Sequence, residues 1–345
     1  MEKIENPFLV SGYESPEYFC DRKQETADLM ETLSNGRNVM LTSPRRMGKT
    51  GLIKHTFHLL KQQNRDITTI YIDLFPTENL ADFTQVFASA VLGGKPKITL
   101  DISKGNESHT LEQVFQYLKQ SGKNCYIAFD EFQQIAKYPE QNVEALLRSH
   151  IQDLHNTHLI FSGSQAHMLQ EMFLSPKRPF YQSTAGKTIE TINQDAYYEF
   201  ASQFFKNQER ELSVVIFNDL YQLFEGHTWY IQMILNRLYS KRSRAIESDL
   251  VHECISDIIN ENEYYYQQLL RAYPKGQAKL LKAIAKEKKV KEITSGVFIS
   301  KYSLTATSSV KTALTRLLDD EVVYRSADGY MIYDRFFGEW LATTF

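Results

Sequence analysis

The sequence predicts an α/β protein: a parallel sheet covered by helices on both faces, then an all-helical stretch, then a C-terminal unit of helices and a β-hairpin. Three observations predict it. In the first half, short apolar runs alternate with helix-length segments, the pattern of parallel strands joined by crossover helices. From Asp195 to Tyr273 only helical spacing is found. Beyond Tyr273, two amphipathic segments precede two short strand-like runs around Asp328-Gly329, a pair that favours hairpin turns.

The first apolar run, Asn38-Val-Met-Leu-Thr42, leads into Ser43-Pro-Arg-Arg-Met-Gly-Lys-Thr50, a tight loop that opens a helix on Gly48-Lys49-Thr50. Such a strand–loop–helix holds the phosphates of a nucleoside triphosphate. Backbone N–H groups wrap the β-phosphate, the helix N-terminus adds its partial positive charge, Lys49 reaches the β/γ oxygens, and the Thr50 hydroxyl ligates Mg²⁺. The candidate nucleotide-binding residues are Ser43, Pro44, Arg45 and Arg46 in the turn, then Met47, Gly48, Lys49, Thr50 and Gly51. The motif begins with glycine in its usual form, and Ser43 stands there instead. Glycine permits unusual backbone angles at low cost, but the Gly-Lys-Thr end makes most phosphate contacts, so the departure bears on rate rather than binding. Arg45 and Arg46 have two readings: contact with phosphate from the loop, or pairing with acidic groups across a domain interface.

A second element supports the first. Asn124-Cys-Tyr-Ile-Ala-Phe-Asp-Glu131 is an apolar strand ending in two carboxylates, with Asp130 placed 81 positions after Lys49. Asp130 would hold the Mg²⁺ shell, and Glu131 would orient and deprotonate a water. A core strand that happens to end in acidic residues is the plain alternative for the pair alone; the upstream phosphate loop decides against it. Thr68-Thr-Ile-Tyr-Ile-Asp-Leu74 is a further strand between the two motifs in sequence, which suggests the additional-strand, catalytic-glutamate division of P-loop NTPases. Val143, Leu147, Ile151 and Leu154 share one helix face, and His158-Leu-Ile-Phe-Ser-Gly-Ser164 follows as a strand ending in small polar residues. Ser162 and Ser164 are candidates to sense the γ-phosphate or the attacking water, the alternative being an ordinary Ser-Gly-Ser turn. Catalytic candidates are therefore Glu131, Lys49 and Ser164.

Composition sets limits. A chain of 345 residues with 42% hydrophobic content can bury a substantial core and divide into two or three domains, expected at 1–194, 195–273 and 274–345. The linkers fall at Gly93 to Ser108 and Tyr273 to Gly276. Cys20, Cys125 and Cys254 are odd in number and widely spaced, with no metal-type pair, which fits a reducing cytoplasm. No basic start followed by an apolar core is present, nor a run of about 18 apolar residues, so no export and no membrane partner are expected.

Charge is unevenly placed. Pro274 to Leu318 carries ten basic and two acidic residues, a local +8 that leaves −11 on the rest of a chain whose formal charge is −3. Gln277 to Lys286 has a helical apolar face in Leu280, Leu281 and Ile284, and Ala306 to Leu318 has one in Val310, Ala313, Leu314 and Leu317. With the runs Glu321 to Arg325 and Tyr330 to Asp334 they make a winged helix, whose recognition position presents Thr307, Ser308, Lys311, Thr312, Thr315 and Arg316. Such a helix can enter a DNA major groove while lysines meet phosphate. The other reading is a solvated basic face on a packing domain, and Asp319, Asp320 and Glu321 directly after the helix would repel phosphate.

In the middle, Tyr197 to Phe205, Val214 to Phe224, Trp229 to Tyr239 and Asp249 to Leu270 are helical, with Ile231, Ile234, Leu235 and Leu238 at helical spacing. A helical lid after such a core closes over nucleotide. Its aromatics, Tyr264, Tyr265 and Tyr266 among them, are assigned to packing rather than to a base-stacking platform.

Over nearly its whole length the order of parts resembles the archaeal-type ATPases of the STAND and AAA+ group, found in archaea and in Bacteroides-like bacteria. The pieces that carry the resemblance are Asn6-Pro-Phe8, Phe19-Cys-Asp-Arg22 with Glu25, Pro44 to Thr50, Phe129-Asp-Glu-Phe132, Ser162-Gly-Ser164, Arg178-Pro-Phe-Tyr-Gln-Ser-Thr184, Phe224 to Gln232 and Tyr333 to Leu341. It implies a P-loop NTPase core with a helical lid and a C-terminal winged helix, and an Mg²⁺-dependent ATPase that works as a slow nucleotide-controlled switch. It implies that Phe19 and Arg22 lie by the adenine and that Gly226 heads a lid helix facing the nucleotide. Thr228 stands where relatives often have the proline of a Gly-x-Pro signature. Partners implied are ATP and ADP, with DNA through the winged helix, a protein partner or a homo-oligomer left open. Arg178 is open between an arginine finger and an ordinary surface role. The rival readings are an ATP-licensed DNA-binding regulator of origin-recognition type and a non-hydrolysing scaffold.

Overall fold

The computed structural model describes residues 4–93, 107–242, 244–326 and 328–345, so nearly all of the linker expected at Gly93 to Ser108 lies outside the described residues. The chain forms two compact units, Met1–Phe204 with Glu225–Met233, and Phe205–Phe224 with Ile234–Phe345.

The first unit begins with helix α1 (Lys23–Ser34), strand β1 (Val39–Thr42), α2 (Lys49–Gln63), β2 (Thr68–Asp73), α3 (Leu80–Leu92) and α4 (Glu107–Gln120). It continues with β3 (Cys125–Asp130), a 3₁₀ segment (Phe132–Lys137), α5 (Val143–Ile151), β4 (Thr157–Gly163), α6 (Ala166–Leu174), β5 (Ala185–Thr188) and α7 (Gln194–Lys206). All five strands are parallel, in the order β2-β3-β4-β1-β5. Alternation along the strands explains the two helical layers. Met40, Ile70, Ile127, Phe129, Leu159 and Phe161 face one core with α3 to α6. Val39, Leu41, Tyr126, Ala128 and Ile160 face the other with α1 and α2. Each face receives every second residue, which is why β1 and β3 are buried throughout, whereas β2 alternates.

The strand lying in space between the phosphate-loop strand β1 and the acid-ended strand β3 is β4, not β2. Register then brings three strand ends together: Thr42 pairs with Gly163 across β1 and β4, and Phe129 with Phe161 across β3 and β4. A crevice at the carboxyl ends of parallel strands is where such sheets bind ligands. The edge strand β5 had no sequence signal; Ala-Gly-Lys-Thr is short, and half of it faces solvent.

Helices α8 (Val214–Leu223), α9 (Thr228–Ser240) and α10 (Ser248–Arg271) supply the helical lid, with the first turn of α9 counted in the first unit. The winged helix comprises α11 (Lys275–Glu287), α12 (Gly296–Lys301), α13 (Thr307–Asp319), the hairpin β6 (Val323–Ser326) and β7 (Gly329–Ile332), and α14 (Arg335–Thr344). Leu280, Leu281, Ile284, Val310, Leu314 and Leu317 are buried, as their spacing predicts. Val290 exchanges both backbone hydrogen bonds with Tyr330, adding a bridge to the hairpin. A Cβ at Gly329 would come within 2.6 Å of the Val290 carbonyl oxygen, so glycine alone fits there. Of the three consecutive tyrosines assigned to packing only Tyr266 packs, against Phe337 and Trp340; Tyr264 and Tyr265 are 75% and 60% exposed. Successive helical residues are about 100° apart, so three in a row cannot share one buried face.

Candidate functional site

The loop between β1 and α2 takes its turn on Arg46 and Gly48, whose φ angles are 65° and 91°. Ser43 is not among the left-handed residues, is buried, and donates its hydroxyl to the Pro44 carbonyl at 3.0 Å. The first position of the loop therefore needs no glycine here, and the serine carries no backbone penalty. Gly48 caps α2, whose first residue is Lys49, so the free N–H groups of the first helical turn open onto the loop.

At the opposite wall, Asp130 ends β3. Its carboxylate accepts from Ser162 Oγ at 2.6 Å, from Thr50 Oγ1 at 3.0 Å, and from the Tyr71 hydroxyl. Lys49 Nζ lies 3.4 Å from Asp130 Oδ1 and 3.3 Å from Glu131 Oε1. Burial would raise the Asp130 pKa, but the Lys49 charge and the three hydroxyls outweigh it and hold the carboxyl below the usual range. Glu131 is set likewise: burial raises its pKa, while Lys49, Gln133 and Ser164 together pull it lower. Both carboxylates are thus ionised at neutral pH, one at the phosphate-loop threonine and one beside it. Glu131 itself adopts φ 54°, a left-handed conformation that turns the chain out of β3 and aims its side chain at the loop.

The two serines proposed as sensors divide between the two acids. Ser162 Oγ serves Asp130, whereas Ser164 donates to Glu131 Oε2 through its hydroxyl at 2.9 Å and its backbone N–H at 3.3 Å. Arg45 Nε lies 3.3 Å from Ser164 Oγ. Arg46 is placed differently: its guanidinium sits 4.0 Å over the Trp229 ring, and its carbonyl accepts from Trp229 N at 3.1 Å. The Trp229 indole N–H donates to the Val10 carbonyl at 3.0 Å.

A cavity of about 380 Å³ joins these groups, bounded by Lys49, Thr50, Asp130 and Glu131 at one end and by Tyr13, Phe19, Thr228 and Gln232 elsewhere. That size is in the range of about 300–1,000 Å³ usual for small-molecule sites. Phe19 stacks on His55 with ring centroids 4.2 Å apart, and Tyr13 OH bonds to His55 Nδ1 at 3.0 Å. Burial, and then the charge of His58, lowers the His55 pKa, so the stack offers a neutral aromatic face. A Cβ on Gly51 would stand 3.3 Å from Phe19 Cε2, so the ring packs closely over the start of α2. Arg22, buried and left-handed, donates to the Met47 carbonyl at 3.2 Å and pairs with Glu25 at 2.7 Å, tying the N-terminal segment to the loop.

A family model described as an ATPase domain predominantly from Archaea matches residues 19–234, and one described as a probable winged helix domain matches residues 264–343. The chain belongs to this archaeal-type ATPase family. Its solved likenesses span almost the full length. The Walker-type ATPase PABY2304 of Pyrococcus abyssi is 18% identical, with a TM-score of 0.71 over 97% of this chain and 99% of that one. The ORC2 protein of Aeropyrum pernix, solved as ADPNP–ADP complexes, is 15% identical, with a TM-score of 0.65 over 98% and 95%. The ORC1 protein of Aeropyrum pernix in complex with DNA is 14% identical, with a TM-score of 0.58 over 98% and 96%. At these identities the likeness is one of fold: a P-loop core, a helical lid and a C-terminal winged helix. No curated protein matches the chain. Among the described residues, no helix is long and apolar enough to cross a membrane.

Three residues of this archaeal-type ATPase were not legible as site residues. Tyr71 looked like one more apolar strand position, yet its hydroxyl meets Asp130 and lies 3.3 Å from Thr50 Oγ1. Gln133, two residues after Glu131, is buried and donates to Glu131 Oε2; the polar side chain just past an acid pair was the signal available. Its packing dictates Gly163, where a Cβ would fall 2.0 Å from Gln133 Oε1. Trp229 lay within a segment that carries the resemblance, but nothing there marked it as a partner of Arg46. Arg178 pairs with Glu144 and, at 3.6 Å, with Glu171 of its own chain. Both partners are acids of the same chain, as an ordinary surface ion pair would have.

Proposed function

We propose that this protein binds ATP with Mg²⁺ and hydrolyses it to ADP and phosphate, using nucleotide occupancy as a switch of the AAA+/STAND kind. The observation that carries the reading is the convergence of Lys49, Thr50, Asp130 and Glu131 within hydrogen-bond reach at one end of a cavity. The residues fit the metal. Thr50 and Asp130 offer hard oxygen donors side by side. Mg²⁺ suits a site with one or two protein oxygens completed by phosphates and water. When bound, it would neutralise charge on the β and γ oxygens. Lys49 would leave the two carboxylates for those oxygens, the loop amides and the α2 N-terminus would cradle the β-phosphate, and Glu131 would accept a proton from the attacking water. The Pγ–O bond to the β-phosphate breaks as the bond to water oxygen forms, with ADP leaving. Phe19, Tyr13 and His55 would flank the base, and Trp229 on Arg46 gives the first turn of α9 a direct hold on the phosphate loop.

The division at 194 and 273 into core, lid and winged helix belongs to this proposal, as does a cytoplasmic location, for which three free, buried cysteines give support. The purified protein should release phosphate from ATP in the presence of Mg²⁺, and chelation should stop it. Bound ATP without turnover would leave a binding switch or scaffold.

A second reading, an ATP-licensed DNA-binding regulator, is favoured by the exposed lysines of the winged helix and by the likeness to an ORC1 protein solved with DNA. Part of the local charge is already engaged: Lys301 pairs with Glu287 at 2.5 Å and Arg316 with Asp320 at 3.0 Å. Lys288, Lys289 and Lys311 remain on the surface, although Lys289 lies 3.8 Å from Asp328. If DNA binds there, the full-length triple alanine variant of these lysines should weaken all sequences alike. The slope of log affinity against log salt should drop by about 2–3 as phosphate contacts are lost. Unchanged affinity would remove this surface from the reading.

A further inference from the structure

We propose that Arg45 is a further catalytic residue, a cation supplied by the phosphate loop itself that contacts the γ-phosphoryl group and stabilises the charge developing on it during transfer to water. The inference rests on the ATPase reading and adds to it a residue whose contact exists only for the third phosphate.

Glu131 has Lys49 at one oxygen and, at the other, a serine that Arg45 reaches. Its Oε1 lies 3.3 Å from Lys49 Nζ, and its Oε2 accepts from Ser164 Oγ at 2.9 Å, which in turn lies 3.3 Å from Arg45 Nε. Arg45 is half-buried and borders the same cavity as Lys49, Asp130 and Glu131. A water activated by Glu131 must stand within hydrogen-bond reach of its carboxylate, and the phosphorus it attacks must lie just beyond. Arg45 borders the cavity that Glu131 lines and reaches the Ser164 hydroxyl, which donates to the carboxylate oxygen that Lys49 does not touch. A guanidinium suits the role chemically, because its planar fork can give two parallel N–H···O bonds to phosphoryl oxygens and stays charged throughout. During transfer the water proton goes to Glu131, the water oxygen bonds to phosphorus, the bond to the β-phosphate oxygen breaks, and Arg45 keeps its proton while donating hydrogen bonds.

The other arginines near the site have partners away from Glu131. Arg46 is exposed and lies on Trp229, Arg22 is held by Glu25 and the Met47 carbonyl, and Arg178 is paired with Glu144 and Glu171. The adjacent loop arginines thus divide their work: Arg46 joins the loop to the first turn of α9, and Arg45 points to the water-activating carboxylate.

Full-length Arg45→Ala and Ser164→Ala should be compared with the parent for affinity toward ADP and a non-hydrolysable ATP analogue, and for kcat. Arg45→Ala should keep its ADP affinity, lose the parent's preference for the triphosphate, and lower kcat by a factor on the order of 10³, the scale of a lost arginine at a transferring phosphoryl group. Ser164→Ala should lose less of the preference than Arg45→Ala. An Arg45→Ala protein with the parent's triphosphate preference and kcat would overturn the inference while leaving the ATPase reading standing. Equal loss of preference in Ser164→Ala would make Arg45 a positioning residue for that serine and overturn it as well. A parent that binds neither nucleotide would remove the ATPase reading, and this inference with it.

Discussion

Lys49→Ala should abolish detectable ATP binding, and its cost to the fold should depend on pH. The amine lies 3.3–3.4 Å from two carboxylates that are largely withdrawn from water. Its removal takes away the point charge meant for the β/γ oxygens and, in the empty protein, leaves Asp130 and Glu131 unopposed. In the parent both carboxyls have lowered pKa values, so their interactions stabilise the fold above about pH 4, where unfolded carboxylates are ionised. Without Lys49 that lowering weakens while burial still opposes the charged forms, so the variant's deficit should be largest where both acids are ionised. Breaking a buried pair costs about 3–5 kcal/mol, and part of that should be recovered in acid as the acids protonate. Denaturant unfolding at pH 4 and pH 7 reads the difference, and calorimetry reads the binding. A folded Lys49→Ala protein with parental ATP affinity would end the assignment of this loop to phosphate.

Glu131→Gln should separate binding from chemistry. Asp130 and Thr50 keep their bond in this variant, and Lys49 keeps a carboxylate partner, so ATP·Mg²⁺ should bind as tightly as to the parent. Turnover should fall by a factor on the order of 10² or more, because an amide cannot accept the water proton and that activation matters only in the transition state. The variant should accumulate with ATP bound and retain whatever partner or oligomer the ATP state recruits. Parental phosphate release at the Glu131→Gln level would turn the protein from catalyst to binding switch.

Much of the core was legible because its signals are local. Gly48-Lys49-Thr50 can be read as a phosphate loop since the strand, turn and helix that make it are continuous in the chain, and Asp130-Glu131 can be read because an apolar strand ends on them. Helix positions in the lid and winged helix followed from periodicity, with most ends shifted by one to three residues, while α8 begins at Val214 as read, behind its Ser213 cap. Short elements escaped. The six-residue α12 and the four-residue β5 are too brief for a period to register, and tertiary contacts hold them.

By itself the sequence determined that this chain is a P-loop protein with a strand ending in an aspartate and a neighbouring glutamate, a helical lid and a winged helix. Each rests on residue types at short, fixed spacings. The tertiary structure decided what those residues do to one another. It brought β4 between β1 and β3, so Ser162 went to Asp130 and Ser164 to Glu131, though the two serines differ in sequence only by side of a glycine. It drew Tyr71 and Gln133 into the site and set Arg45 and Arg46, adjacent in the loop, against Ser164 and Trp229. The physical reason is that hydrogen bonds and ion pairs act over about 3–4 Å, whereas the partners here are separated by up to 183 positions along the chain, a distance only the folded sheet closes.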